Sequence, residues 1–205
     1  MRADLALVDR GLARSRNQAS AIIEAKRALA DGKEIRKSSQ EVSDAAELVV
    51  LPAVDYVSRA GHKLAGALEE FGIQVRDKLC LDVGASTGGF TDVLLRAGAR
   101  TVIAIDVGRD QMAQPLRENP RVLCFEGVNA RELTAERFKD LVGEVGDIEL
   151  VVADLSFISL TLVMKPLVEI APQADFILLI KPQFEVGKES LQASGVVNSH
   201  LLRAE

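Results

Sequence analysis

The sequence predicts an α/β protein built on a parallel sheet, with a small α+β module ahead of it. Three observations carry that prediction. Five short runs, 78–83, 100–107, 121–125, 149–153 and 175–180, are almost continuously apolar instead of alternating, and helical stretches lie between them. Such runs belong to strands covered on both faces, as in a parallel sheet. The first run passes into Asp82-Val83-Gly84-Ala85-Ser86-Thr87-Gly88-Gly89-Phe90, a glycine turn joining a strand to a helix. The first 51 residues differ from the rest in both charge and pattern.

The chain has 205 residues, 48% hydrophobic and 27% charged, which leaves room for one α/β core and an appended module. A net charge of −5 excludes an indiscriminate polyanion binder, so any nucleic-acid surface must be local. Residues 1–40 hold nine Lys/Arg against five acids. Cys80 and Cys124 sit inside apolar runs and read as small buried residues of a reducing compartment, not as a disulfide or a metal site. No apolar run reaches the roughly 18 residues that span a bilayer, and the N-terminus lacks a signal-peptide core. The expectation is a cytoplasmic protein with no bound metal and no membrane partner.

Residues 1–51 read as one module. Leu5, Leu7, Val8 and Leu12 form a short helical stripe ending at Gly11. Ser15 and Gln18 make a Ser-x-x-Gln capping box, opening a second helix through Ala19, Ile22, Ile23 and Lys26. Asp31-Gly32 signals a two-residue hairpin, and 47–51 supplies a closing strand. Arg2, Arg14, Arg16, Lys26, Arg27 and Lys33 are candidate phosphate contacts around a helix N-terminus. A merely solvated basic face is the competing reading. No aromatic residue precedes Tyr56, so recognition of structured RNA by shape and phosphate fits better than base stacking. Pro52 begins a linker over 52–57.

The second domain is expected over 58–205. Ser58 is placed to cap a helix with Leu64, Ala67, Leu68 and Phe71 on its apolar face and Gly72 at its end. Lys63 lies in the first turns, where a positive charge opposes the helix dipole; Arg59 beside it is a further candidate RNA contact. After Gly89, a helix carries Phe90, Val93, Leu94 and Ala97 and stops at Gly98, and another is expected over 157–170. The five strands end in Asp82/Gly84, Asp106, Asn129, Asp154 and Lys181, and carboxyl ends of parallel strands share one rim. An acid 22 positions after Gly84 suits a ribose, in NAD or in S-adenosylmethionine. Two features favour S-adenosylmethionine. The turn is not the Gly-x-Gly-x-x-Gly of a pyrophosphate site, and Asp154 with Lys181 could position and deprotonate a hydroxyl.

Four stretches then stand in order behind the basic module: Tyr-Val-Ser-Arg-x-Gly-x-Lys-Leu, Leu-Asp-Val-Gly-Ala-Ser-Thr-Gly-Gly-Phe-Thr-Asp, Asp-Leu-Ser-Phe-Ile-Ser-Leu and Lys-Pro-Gln-Phe-Glu. Together they resemble the TlyA family, S4-domain ribosomal RNA 2′-O-methyltransferases once labelled haemolysins, whose catalytic domain is similar to the FtsJ type. The resemblance implies an S4-like RNA-binding domain at 1–51 and a Rossmann-like class I methyltransferase sheet at 58–205. It implies S-adenosyl-L-methionine as cofactor, and ribosomal RNA within ribosomal subunits as partner. Lys63, Asp154 and Lys181 become the implied catalytic residues. Asp82, Gly84, Ala85, Ser86, Thr87, Gly88, Gly89, Asp106, Val107, Asn129 and Asp154 become the implied cofactor site. The family's fourth catalytic residue, a glutamate, should lie well beyond Lys181, and Glu185 is too close to be it. The family pattern continues after Gly195-Val196-Val197 with a helix and a closing hairpin, so those last strands are expected to be missing here. Three rivals follow: an RNA-binding assembly protein without catalysis, a membrane-lytic protein, which lacks the basic amphipathic helix it would need, and an NAD(P)-dependent oxidoreductase, which calorimetry with both cofactors separates. Base methylation is disfavoured, because Asp154-Leu155-Ser156-Phe157 stands where an Asn-Pro-Pro-Tyr-like element would.

Overall fold

In the computed structural model, which describes residues 1–52 and 55–186, the chain divides into a unit over Met1–Asp55 and a second from Tyr56 onward. Ala53 and Val54 of the expected linker lie outside the described residues, as does the segment around Gly195-Val196-Val197.

The first unit contains α1 (Ala3–Asp9), α2 (Arg16–Glu24), β1 (Ala28–Ala30), β2 (Lys33–Glu34) and β3 (Leu48–Val50), the strands antiparallel in the order β2-β1-β3. Ser15 caps α2, its Oγ accepting from the Gln18 amide at 3.2 Å. The other half of the expected capping box is shifted: Gln18 Oε1 accepts from the Arg14 amide at 2.7 Å, one residue before the cap. Asp31 and Gly32 both take positive φ, 50° and 74°. That conformation matches the strand twist in a two-residue hairpin. Ala6, Leu7, Ala19, Ile23, Ala28 and Ile35 close a small core beneath these elements.

Asp4 reorganises the basic face. Its carboxylate is buried, accepting from Arg2 at 3.0 and 3.1 Å and from Arg16 at 3.1 and 2.9 Å. Arg2 and Arg16, expected as phosphate contacts, are therefore also the cations that neutralise Asp4. Arg27 likewise spends its Nε on the Leu51 carbonyl, at 2.8 Å. Arg14 and Lys33 stay exposed. Hydrogen bonding from Arg2 foremost, and from Arg16, holds the Asp4 carboxyl down to about 2. A depressed carboxyl adds stability that is full above its unfolded value, about 3.9, and is lost as pH falls toward 2. Asp4→Asn should lower the melting temperature at pH 7 and flatten its fall between pH 4 and 2, which circular dichroism will show.

The second unit runs α3 (Ala60–Phe71), β4 (Leu79–Val83), α4 (Gly89–Arg96), β5 (Thr101–Asp106), α5 (Gln114–Arg117), β6 (Val122–Glu126), a 3₁₀ turn (Ala130–Glu132), α6 (Ala135–Val142), β7 (Leu150–Ala153), α7 (Thr161–Ile170), β8 (Asp175–Leu178) and α8 (Pro182–Glu185). The five strands are parallel in the order β6-β5-β4-β7-β8. Alternate side chains fill opposite faces. Cys80, Val102, Ala104, Leu150 and Val152 pack on the α3–α4 side. Leu81, Val83, Ile103, Ile105, Val151 and Ala153 pack on the α6–α7 side. Each fully buried Leu or Ile contributes about 2 kcal/mol of apolar burial, and in β4 and β7, where every residue is buried, all positions but Asp82 are apolar because neither face meets water. Both cysteines are free, and burial pushes the Cys80 thiol up to about 12.

Three local expectations shift. Arg59, not Ser58, precedes α3, and no side chain caps that helix. Arg59 itself is exposed. The helix expected over 157–170 starts at Thr161, because Phe157 takes a φ of 65° that helical backbone cannot hold. The last strand stops at Leu178, two residues short of the expected end. The stop at Gly98 holds: its φ is 91°, and the Gly98 and Ala99 amides donate back to Leu95 and Leu94 at 3.1 and 2.9 Å. This is the doubly bonded glycine ending of a helix.

Candidate active site

Strand order sets the position of the site. Chain order runs outward in opposite directions on either side of the β4–β7 pair. An open parallel sheet leaves a crevice there, at the carboxyl ends. The turn after β4 forms one lip. Gly84 (φ 83°), Ser86 (φ 47°) and Gly88 (φ 95°) take left-handed conformations, which glycine adopts without cost. A Cβ on Gly84 would lie 2.9 Å from Leu155 Cδ2 and 3.1 Å from the Asp154 carbonyl oxygen. One on Gly88 would strike Leu116, and one on Gly89 would strike Ser58 Oγ. Glycine is required here by contact as well as by conformation.

A cleft of about 460 Å³ opens between this turn, the ends of β5 and β6, and the loop after β7. Val83, Ile105, Val128, Leu155 and Val163 give it apolar walls, with Asp106, Asn129 and Ser86 as polar groups. A second, smaller hollow of about 170 Å³ shares Gly84, Ser86, Asp154 and Ser156 with the first, and adds Ala85, Thr87, Gly89 and Lys181. The Asp106 carboxylate accepts from the Ser86 amide at 2.8 Å and from the Gly108 amide at 2.6 Å, tying both lips together. Val107 is 72% exposed beside it. Asn129 opens the 3₁₀ turn, its Oδ1 accepting from the Arg131 amide at 3.2 Å. Glu126 was not foreseen. Its carboxylate accepts from the Asp110, Gln111 and Met112 amides at 2.7, 2.9 and 3.2 Å and from Arg117 at 2.9 Å, holding the loop that follows β5. An acid directly before a Gly-Val-Asn step was the only signal, and spacing could not reveal which amides it would meet.

Asp82 departs from its expected place. It is fully buried inside β4, beneath the turn instead of on the rim, with Oδ2 accepting from Thr91 Oγ1 at 2.7 Å. The physical reason is register: Asp82 stands opposite Ala104 and Val152, one step short of the rim, so its side chain turns toward α4. Burial pushes its carboxyl up to about 7, against the Thr91 hydrogen bond. A raised carboxyl leaves its share of stability intact below the unfolded value, about 3.9, and loses it as pH rises through 7. Asp82→Asn should therefore raise the melting temperature at pH 8 and leave it little changed at pH 4. A scan of melting temperature against pH checks the sign.

The structure brings Lys63, Asp154 and Lys181 together. Lys181 Nζ lies 2.6 Å from Asp154 Oδ1 and donates to Ser156 Oγ at 2.7 Å. Lys63 Nζ stands 3.9 Å from Asp154 Oδ2, with its side chain 53% exposed against 18% for Lys181. Asp154 is thus bracketed by two ammonium groups, tightly by one and loosely by the other. Ser156 is the contact that strand-end reasoning missed, although it lies within a quoted motif. Phe157 is 91% exposed at the mouth of the cleft, its ring tilted relative to the Phe184 ring with centroids 5.2 Å apart. Among the described residues, no group of three or more His, Cys, Asp or Glu could hold a metal ion, and no helix is long and apolar enough to cross a membrane.

Comparison with known proteins shows the family. Residues 56–205 match the FtsJ-like methyltransferase family. The chain is 51% identical to the 16S/23S rRNA (cytidine-2′-O)-methyltransferase TlyA of Mycobacterium tuberculosis, over 99% of this chain and 75% of that protein. It is 39% identical to Hemolysin A of Brachyspira hyodysenteriae, over 99% of this chain and 83% of that protein. Among solved structures, a hemolysin-named protein from Streptococcus thermophilus superposes with a TM-score of 0.66 at 36% identity, covering 98% of this chain and 73% of its own.

Proposed function

The chain belongs to the FtsJ-like methyltransferase family, among TlyA relatives, and from that premise we propose that it methylates a ribose 2′-hydroxyl of ribosomal RNA. S-adenosylmethionine is the cofactor of the family, and the site suits it. Gly84 and Gly88 form a cradle that a Cβ would fill. The apolar walls of the cleft would take the adenine, Asp106 the ribose hydroxyls, and the amides of the 84–89 turn the amino-acid end.

The observation that carries the reading is the Lys63–Asp154–Lys181 cluster, sharing Asp154 with the cleft and the smaller hollow. Bound S-adenosylmethionine supplies an electrophilic sulfonium methyl. The protein's part is to align the hydroxyl and take its proton. Lys181 in its neutral form accepts that proton at Nζ. Asp154 fixes the Lys181 amine in place and offsets the charge it gains, and Ser156 holds the amine from the other side. Lys63, half in solvent, orients the hydroxyl oxygen by its charge.

The first unit serves in this reading as an S4-type RNA-binding domain, its boundary near residue 51. Arg14 and Lys33, with the exposed parts of Arg2 and Arg16, are its phosphate contacts, and Lys26 and Arg27 add to them; Arg59 is a separate candidate contact on the second unit. Such a surface acts by charge and position, not by reading bases, and a cytoplasmic location follows from the substrate. The test is to incubate the chain with ribosomal subunits and isotope-labelled S-adenosylmethionine, then map the label by mass spectrometry of digested RNA. Label on ribose is expected. Label on a base, or tight RNA binding with no label, overturns the proposal.

A further inference from the structure

The motif Lys181-Pro182-Gln183-Phe184-Glu185 ends in an acid that the proposed chemistry does not use. Glu185 nevertheless has well-defined partners. Its Oε1 accepts from the Leu160 amide at 3.0 Å, and its Oε2 accepts from Ser159 Oγ at 2.5 Å. Leu160 precedes α7, and no side chain of its own caps that helix. A carboxylate at this point satisfies an orphan amide and complements the positive end of the helix dipole. Ser159 is itself fixed, its Oγ accepting from the Thr161 amide at 3.1 Å and lying 2.6 Å from Thr161 Oγ1.

This cap is long-range, and its other end is the proposed base. Glu185 closes α8, a single turn whose first flanking residue is Lys181, and the Phe184 amide donates to the Lys181 carbonyl at 2.8 Å. The two motifs therefore meet along their length. Asp154 and Ser156 hold Lys181 Nζ, the Phe157 ring lies beside the Phe184 ring, and Ser159 and Leu160 hold Glu185. Among the described residues, Ile180 behind Lys181 is 67% exposed, so packing on that side does little to fix Lys181, and the tie at Glu185 is a restraint from the other side.

We infer that Glu185 is a positioning residue for Lys181, acting by clamping α8 to the start of α7 so that the amine meets Asp154 and Ser156. The inference rests on the proposed methyl transfer only for its kinetic consequence; the clamp itself is a statement about where Lys181 is held. Glu185→Ala frees α8 and lets the amine leave its partners. Misplacing a catalytic group by about 1 Å can cost on the order of 100-fold in rate. Glu185→Gln keeps an acceptor for the Leu160 amide and should recover most of the loss. Thr161→Val removes one hydrogen bond to Ser159 Oγ at the same helix start while leaving both donors to Glu185 in place, and serves as the control for a local change there.

Two measurements on the full chain decide the matter. The first is acylation of lysines by a mild amine-reactive ester, read at Lys181 by mass spectrometry. Labelling at Lys181 should rise several-fold in Glu185→Ala, and stay at the wild-type level in Thr161→Val and near it in Glu185→Gln. The second is steady-state methyl transfer, where kcat should fall at least tenfold in Glu185→Ala with the Kd for S-adenosylmethionine within twofold. Unchanged Lys181 labelling in Glu185→Ala overturns the inference, as does an equal rise in Thr161→Val. If the wild-type chain transfers no methyl group, the functional proposal fails, while the labelling comparison still decides the clamp.

Discussion

Lys181→Ala is expected to abolish methyl transfer while leaving the affinity for S-adenosylmethionine within about threefold of wild type. The two halves of that result come from different parts of the geometry. Lys181 Nζ sits in the smaller hollow, 2.6 Å from Asp154 Oδ1 and 2.7 Å from Ser156 Oγ. It is not among the residues lining the larger cleft, where Val83, Ile105, Asp106 and Val128 would hold the nucleoside. Proton transfer by a positioned side chain contributes about 10²–10⁴-fold to rate, and alanine removes that contribution together with the local charge. Isothermal titration with S-adenosylmethionine, beside a labelled-methyl assay on ribosomal subunits, separates the two effects. Retained turnover would remove Lys181 from its role, and lost binding would place it in the cofactor site instead.

Gly84→Ala should fail differently, losing cofactor affinity and turnover together. At a φ of 83° an L-residue is strained, by about 1–2 kcal/mol. The added methyl would also lie 3.1 Å from the Asp154 carbonyl oxygen and 2.9 Å from Leu155 Cδ2. The leucine can rotate away, but the carbonyl is backbone and moves only if the Asp154 peptide moves. That shift displaces the turn that cradles the cofactor and the carboxylate that holds Lys181. A loss of at least about tenfold in affinity is expected from strain of that size, with a further loss in kcat at saturating cofactor. Wild-type affinity in Gly84→Ala would show that the cradle is looser than its contacts imply.

The sheet was readable because its cause is local and repeated. Every residue of Leu79–Val83 and Leu150–Ala153 is buried, since helices cover both faces, and that leaves runs in the sequence that are apolar at every position but Asp82. The turn after Val83 was readable because positive φ selects glycine at positions 84 and 88 and close contact selects it at 89. The convergence of Asp106, Asn129, Asp154 and Lys181 followed from one rule of parallel topology. Ends of elements were less legible. Ser58 has the chemistry of a helix cap, yet its hydroxyl is packed against Gly89, and α3 starts without a side-chain cap.

What the amino-acid order determined by itself was therefore the five sheet strands, the rim they share and the residue types on it, because burial and backbone conformation select side chains one position at a time. What only the tertiary structure decided was partnership: Asp4 with Arg2 and Arg16, Asp82 with Thr91 under the rim, Glu126 with three loop amides, and Glu185 with the start of α7. A carboxylate accepts from whichever donor the fold delivers within about 3 Å. That delivery depends on strand register and loop path across tens of residues, so the same acid reads identically in sequence whether it meets solvent, a guanidinium or a helix end.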